Sequence, residues 1–150
     1  MVDISKKEVT SRIARATGKI FMSHETLAKI QEKQITKGDP FETARIAGIM
    51  AAKKTPELIP MCHPILLSSI HVDFIVQPSK GESVATIEIH ATVSAAGQTG
   101  VEMEAMTAVA VSALTLYDMC KAADKAISFG EISLDFKRGG KSGNYKRAPL

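Results

Sequence analysis

The chain has 150 residues, 45% of them hydrophobic, and a net charge of +3, which suits one domain burying roughly 70% of its unfolded surface. The mildly positive balance favours an anionic partner over a cationic one. Aromatic residues make up only 5%, with no tryptophan, too few for a platform that stacks the bases of single-stranded nucleic acid.

The chain opens Met1-Val2-Asp3-Ile4 and passes at once to Ser5-Lys6-Lys7-Glu8, so no apolar export signal is expected. Cys62 and Cys120 make no CxxC pair, and a reduced, cytoplasmic setting is the expectation. From Arg12 to Met22, Ala14, Ala16, Ile20 and Met22 alternate with Arg15, Thr17 and Lys19, the pattern of a strand with one buried face. Gly18 argues against a long helix there. Ser23 is an N-cap candidate for a helix running to about Lys33, with Leu27 and Ile30 inward.

A second helix is predicted from Lys37-Gly38-Asp39-Pro40 to about Lys54. Asp39 suits the N-cap, Pro40 the first helical position, and Glu42 the third position of a capping box. Pro56 discourages continuation through Thr55. Pro60-Met61-Cys62-His63-Pro64 should be extended or turn-like.

Two alternating strands follow, Ile70 to Val76 and Ala85 to Val93, joined at Pro78-Ser79-Lys80-Gly81 as a hairpin with one buried face. His71 and His90 fall on the outward face of that pattern. The run Ala105 to Tyr117 carries no charge and is rich in Ala and Leu, predicting a buried central helix. It is too short, and too broken by Thr and Ser, to span a membrane, which needs about 18 apolar residues. Ile132, Leu134 and Phe136 alternate with polar residues in a last strand, and Gly139 to Leu150 reads as a basic, mobile tail. Strand, two helices, hairpin, long helix and strand make an α+β sandwich of ferredoxin-like type, a four-stranded antiparallel sheet with helices on one face.

Charged groups stand at both ends of the central helix. Asp118 and Lys121 are three apart and share a face. Glu104 lies about 40° from Asp118 around the axis but about 21 Å from it along the helix. One small substrate hardly spans that distance, so either loops fold it across or the two ends serve different sites in an oligomer. Charges at helix ends also occur as plain caps, and Glu102 and Glu104 suit the positive N-terminus. Lys37 belongs to no P-loop or dinucleotide loop, because the Gly-x4-Gly-Lys-Ser/Thr and GxGxxG spacings are absent. His63, held between two prolines, is a candidate acid, base or phosphate donor. The other histidines are scattered without ligand spacing, so no metal site is expected. Lys137, Arg138, Lys141, Lys146 and Arg147 stand among three glycines, a composition that suits phosphate contact or a solvated tail equally.

Six blocks together carry a resemblance. They are Lys37-Gly38-Asp39, Thr43 to Lys53, Leu58 to Pro64, Thr99 to Thr107, Leu116 to Lys121 and Gly139 to Gly143. In this order they resemble the cyclic pyranopterin monophosphate synthase family, accessory protein C of molybdenum cofactor biosynthesis. The resemblance implies a lyase acting on a cyclised GTP, 3′,8-cyclo-7,8-dihydroguanosine triphosphate, forming a pterin and a cyclic phosphate with loss of pyrophosphate. It implies the ferredoxin-like fold and a hexamer built from dimers, with active sites between subunits. By motif match, Asp118, Lys121 and Lys37 take the catalytic positions. Met61, Cys62, His63, Glu102, Met103, Glu104, Arg12, Lys137 and Lys141 take the substrate-contacting ones. No resident cofactor is expected, a role for Mg2+ with the substrate triphosphate stays open, and neither membrane nor nucleic acid is expected as a partner. The chain departs from the family pattern at Met61, where Leu is common, at Arg138, where Ser is usual, and at Asn144, where Asp is common. It also starts without the short extension many members carry. The alternative, a nucleic-acid-binding module, lacks the strand aromatics of an RNA-recognition fold.

Overall fold

A computed structural model describes residues 1–78, 81, 83–141 and 143–148. Ser79 and Lys80 of the predicted hairpin turn, Ser142 of the glycine-rich block and Pro149–Leu150 of the tail lie outside the described residues. In chain order the elements are β1 (Thr10–Met22), α1 (His24–Gln31), α2 (Pro40–Lys53), the single turn α3 (Thr55–Leu58), β2 (Leu67–Val76), β3 (Ala85–Gly97), α4 (Glu102–Cys120), β4 (Ser128–Arg138) and β5 (Tyr145–Lys146). The sheet order is β2-β3-β1-β4-β5 with antiparallel neighbours. The first four strands form the expected ferredoxin-like sheet, with α2 and α4 on one face.

The buried face follows the alternation in the sequence. Ala14, Ala16, Ile20 and Met22 of β1 and Ala85, Ile87, Ile89, Ala91 and Val93 of β3 are all buried. Side chains of the Ile and Leu kind each contribute about 1.5–3 kcal/mol on full burial. Small residues let α4 lie close. An added Cβ at Gly18 would sit 2.7 Å from Val109 Cγ1, so this mid-strand glycine marks the approach of the helix. Ala44 and Gly48 of α2 face α4, where Ser112 Oγ donates to the Ala44 carbonyl at 3.0 Å.

The helix starts agree with their capping residues. Ser23 Oγ accepts from Thr26 N at 3.2 Å, and Asp39 Oδ1 accepts from Phe41 N at 3.0 Å and Glu42 N at 3.1 Å, caps worth about 1 kcal/mol each. The reciprocal half of the capping box is not made among the described residues, because the Glu42 carboxylate accepts from Arg45 Nε instead, at 3.4 Å.

Other boundaries differ from the sequence expectation for local reasons. Helix α1 stops at Gln31 rather than Lys33. Lys33 takes a left-handed φ of 57°, and Gln34 N donates back to the Lys29 carbonyl at 2.8 Å. That is a Schellman ending with lysine where glycine is the usual signal. Strand β4 begins at Ser128, before the alternation from Ile132 that the sequence shows, because Glu131, at φ 52°, bulges the strand and breaks its alternation there. The tail expected to be mobile turns back instead. Tyr145 and Lys146 pair with Lys137 and Phe136, and Arg147 N donates to the Asp135 carbonyl at 2.7 Å. This adds a short fifth strand to the predicted four.

Candidate functional site

The chemistry-bearing residues gather in two groups, one at each end of α4. At the C-terminal end, Asp118 holds two ammonium groups. Lys121 Nζ lies 2.7 Å from its Oδ1 and Lys37 Nζ 2.8 Å from its Oδ2. Lys37 also donates to the Asp118 backbone carbonyl at 2.8 Å, where the exposed carbonyls of a helix end favour a cation. Lys37 reaches α4 because the turn Ile35–Gly38 closes through Gly38 N donating to the Ile35 carbonyl. Gly38 has φ 108°, a conformation costly for any residue with a Cβ.

Hydrogen bonds from Lys121 and then Lys37 pull the Asp118 carboxyl down to about 2. The same contact pushes the Lys121 ammonium above its ordinary value. At neutral pH this group is therefore one carboxylate between two cations, exposed to solvent.

At the N-terminal end of α4, Glu104 is 3% exposed. Its carboxyl is raised above the ordinary value, chiefly by burial and further by the neighbouring Glu102 charge. It faces an open cleft of ≈ 410 Å³ shared with Met61, Cys62, His63 and Met103. The Cys62 thiol is pushed up by burial and by Glu104, which keeps it protonated and disfavours a thiolate nucleophile. The loop carrying Cys62 and His63 is shaped by Cys62 N donating to the Ile59 carbonyl.

The cleft continues into a second one of ≈ 400 Å³, where Arg12, Glu102, Lys137 and Lys141 meet. Lys137 Nζ pairs with Glu102 Oε1 at 2.9 Å. Arg12, 9% exposed, donates from Nε to the Gly97 carbonyl at 3.2 Å. All nine substrate-contacting candidates thus stand at one end of the sandwich, and the three catalytic candidates stand at the other. Sequence reasoning missed Lys7, Thr99 and Gln98, which also line these clefts. Gln98 Nε2 donates to the Lys7 carbonyl at 2.8 Å and so ties the N-terminal segment to the site, a contact that no local pattern announces.

Among the described residues no cluster of His, Cys, Asp and Glu suits a metal ion, and no helix is long and apolar enough to cross a membrane. His71 is exposed, and His90 pairs with Glu88 at 3.0 Å on the open face of the sheet.

Fold and site define a small α+β domain of ferredoxin-like type, with clusters of charged and titratable side chains at the two ends of one helix. The chain belongs to the MoaC family, whose sequence profile matches residues 1–140. It is 53% identical over 146 residues to a protein of Parvibaculum lavamentivorans named cyclic pyranopterin monophosphate synthase, covering 97% of this chain and 89% of the relative. Proteins of the same name from Brevibacillus brevis and Geobacter metallireducens are each 54% identical over 147 residues, covering 98% of this chain and 89% of each relative.

Proposed function

We infer that the protein is a cyclic pyranopterin monophosphate synthase. It converts 3′,8-cyclo-7,8-dihydroguanosine 5′-triphosphate to cyclic pyranopterin monophosphate and pyrophosphate, an early step of molybdenum cofactor biosynthesis. The observation that carries the reading is the ion-paired Lys37–Asp118–Lys121 group in a chain that matches the MoaC family over residues 1–140.

The residue chemistry suits the task. Opening an imidazole ring and rebuilding a pterin needs several proton transfers, each worth about 10²–10⁴-fold from a placed acid or base. Lys121 is protonated at neutral pH and serves as a proton donor, with Lys37 beside it. Asp118 at about 2 is a poor base while both lysines hold it. It relays protons only once the substrate draws one ammonium group away. Glu104 and His63 hold the guanine-derived ring in the first cleft. Buried and biased toward its neutral form, Glu104 can donate as well as accept a hydrogen bond to the ring. Mg2+ would accompany the triphosphate, in keeping with its preference for phosphate oxygens and retained waters.

The two residue groups work together across a subunit boundary. Met103 and Leu114 are exposed on α4 on the face that carries Asp118 and Lys121, and Ile46 and Met50 of α2 are exposed as well. Exposed apolar side chains beside that charged pair suit contact with a second copy of the chain. Residues 104 and 118 are equally distant from Val111. A two-fold axis crossing α4 near Val111 would therefore bring Glu104 of one copy to Asp118 of the other. Three such dimers would form the hexamer that the resemblance implies. The cytoplasm, where GTP-derived nucleotides arise, is the setting of this reading, and the two free cysteines suit it.

Incubating the purified protein with the cyclised nucleotide should yield a pterin and pyrophosphate. Asp118→Asn and Lys121→Ala, each kept folded, should lose the pterin product. Near-full activity in both would overturn the role assignment.

A further inference from the structure

Just beyond Lys121 stands a carboxylate that neither cleft uses. Asp124 Oδ2 accepts from Ser23 N at 2.9 Å and from Thr26 Oγ1 at 3.4 Å, and Asp124 Oδ1 accepts from Ala126 N at 2.9 Å. Ser23 and Thr26 lie 101 and 98 residues away in the chain. One side chain therefore binds the first turn of α1 to the segment between α4 and β4. These charge-assisted bonds hold the Asp124 carboxyl below its ordinary value, chiefly through the Ser23 N–H. A carboxylate is also favoured at the positive start of a helix.

Both sides of this clamp lead to the three catalytic candidates. On one side, Ala123 N and Asp124 N both donate to the Cys120 carbonyl, and Lys121 N donates to the Tyr117 carbonyl. Asp124 thus follows directly from the helix turn that carries Asp118 and Lys121. On the other side, α1 runs through the Lys33 ending and the Ile35–Gly38 turn into the loop of Lys37.

Helix α1 has eight residues, too few to persist alone in water, so its place depends on anchors. Thr26, Leu27 and Ile30 are buried and fix one face. Close packing does not fix the loop that follows. A cavity of ≈ 240 Å³ separates Ile35, Thr36 and Lys37 from Met119, Cys120 and Ala123. The loop is held instead at its ends, by the Asp39 cap of α2 and by α1.

We propose that Asp124 is a positioning residue for the Lys37–Asp118–Lys121 group, setting the approach of Lys37 to Asp118 by pinning the start of α1 to the turn after α4. The clamp rests on geometry, while its effect on turnover rests on the synthase reading above. Lys121 needs no such help, because it shares a helix turn with Asp118. Lys37 comes from 81 residues away, and its distance from Asp118 is only as fixed as the elements between them.

NMR titration of the Asp118 carboxyl in the full chain reads this contact. The charged groups on that carboxyl are Lys121 and Lys37, which together bring it from 3.8 to about 2. In Asp124→Ala it should titrate higher than in the wild type yet below 3.8, because Lys121 still holds it. Lys37→Ala should raise it likewise, and adding Asp124→Ala to Lys37→Ala should raise it no further. Asp124→Asn, which keeps one acceptor oxygen, should fall between wild type and Asp124→Ala, and it carries the test if the alanine variant does not fold. Thr17→Val, which loses a 2.9 Å hydrogen bond to Asp135 on the open face of the sheet, should leave the Asp118 titration unmoved even where it lowers stability. With the cyclised nucleotide, Asp124→Ala should lower kcat about tenfold and change KM less than about twofold, within what a misplacement of about 1 Å can cost.

An unmoved Asp118 titration in folded Asp124→Ala, a further rise in the Lys37→Ala background, or a shift without loss of kcat would overturn the proposal. If the titration moves as expected but the wild type forms no pterin, the synthase reading fails and the clamp stands. If the wild type forms pterin while the titration stays in place, the clamp fails and the synthase reading stands.

Discussion

If catalysis needs the C-terminal group of α4 from one subunit and the N-terminal group from another, two inactive variants should rescue each other. Asp118→Asn disables one end of the helix and His63→Ala the other. In a homodimer of either variant, both composite sites contain one damaged half. In a mixed dimer, one site receives both defects and the other receives none. Random assortment of equal amounts makes half the dimers mixed, each with one intact site of two, so the mixture should recover about one quarter of wild-type activity. The quarter follows from the placement of the residues. Glu104 and Asp118 lie on one continuous helix, Glu102–Cys120, separated along it by about 21 Å, so neither variant touches the half-site that its partner supplies. The assay is pterin formation after the two variants are unfolded together and refolded, against each refolded alone. Recovery indistinguishable from the sum of the single variants would refute the argument and require both groups to act within one chain.

Three further outcomes are expected. The Asp118 carboxyl, held at about 2 against an ordinary 3.8, contributes stability that is full above about pH 4 and is lost as pH falls through about 2. The difference in unfolding midpoint between wild type and Asp118→Asn should therefore be constant from neutral pH to about 4 and shrink as pH falls through about 2; a gap undiminished below pH 2 would contradict it. Glu104 has the opposite sign, because burial raises its carboxyl above the ordinary 4.5. Its contribution is full below that value and is lost as pH rises through the folded one. Glu104→Gln should raise the melting temperature at pH 7, with the gain fading by about pH 4, while turnover falls about 10²-fold or more; unchanged turnover would remove Glu104 from the site. Gly48→Ala would place a Cβ 2.2 Å from Ser112 Oγ and 2.9 Å from the Ala108 carbonyl. Overpacking of about 1–3 kcal/mol should outweigh the roughly 1 kcal/mol that alanine gains in a helix interior, so urea denaturation should show a net loss.

The elements legible in the sequence are those whose signal is local. Ser23 and Asp39 announce their helices because a side-chain oxygen and a nearby backbone N–H are enough to make a cap. The alternation of Ile87, Ile89, Ala91 and Val93 fixes the inward face of β3 because one face is dry. What escaped the sequence is set by distant partners. Lys33 ends α1 and Glu131 bulges β4, both at positive φ and neither with a side chain that asks for it. Tyr145 and Lys146 become a strand only because β4 offers them an edge. The candidate site divides in the same way. Asp118 and Lys121 share a helix face by spacing, whereas Lys37 joins them across 81 residues only because the Gly38 turn meets the end of α4.

Arg12 carries the argument furthest. In the alternation of β1 it is an inward-facing residue next to Ala14, a position where an isolated cation would be costly. The fold tolerates it because Gly140 has no side chain and the Gly97 carbonyl takes its Nε. The glycine-rich loop therefore leaves room for one guanidinium, whose hydrogen bond among the described residues runs from Nε to the Gly97 carbonyl. A chain shaped for stability alone gains nothing by burying a cation. Under the proposed synthase reading, a guanidinium held in the cleft with Lys137 and Lys141 meets the anionic substrate already oriented.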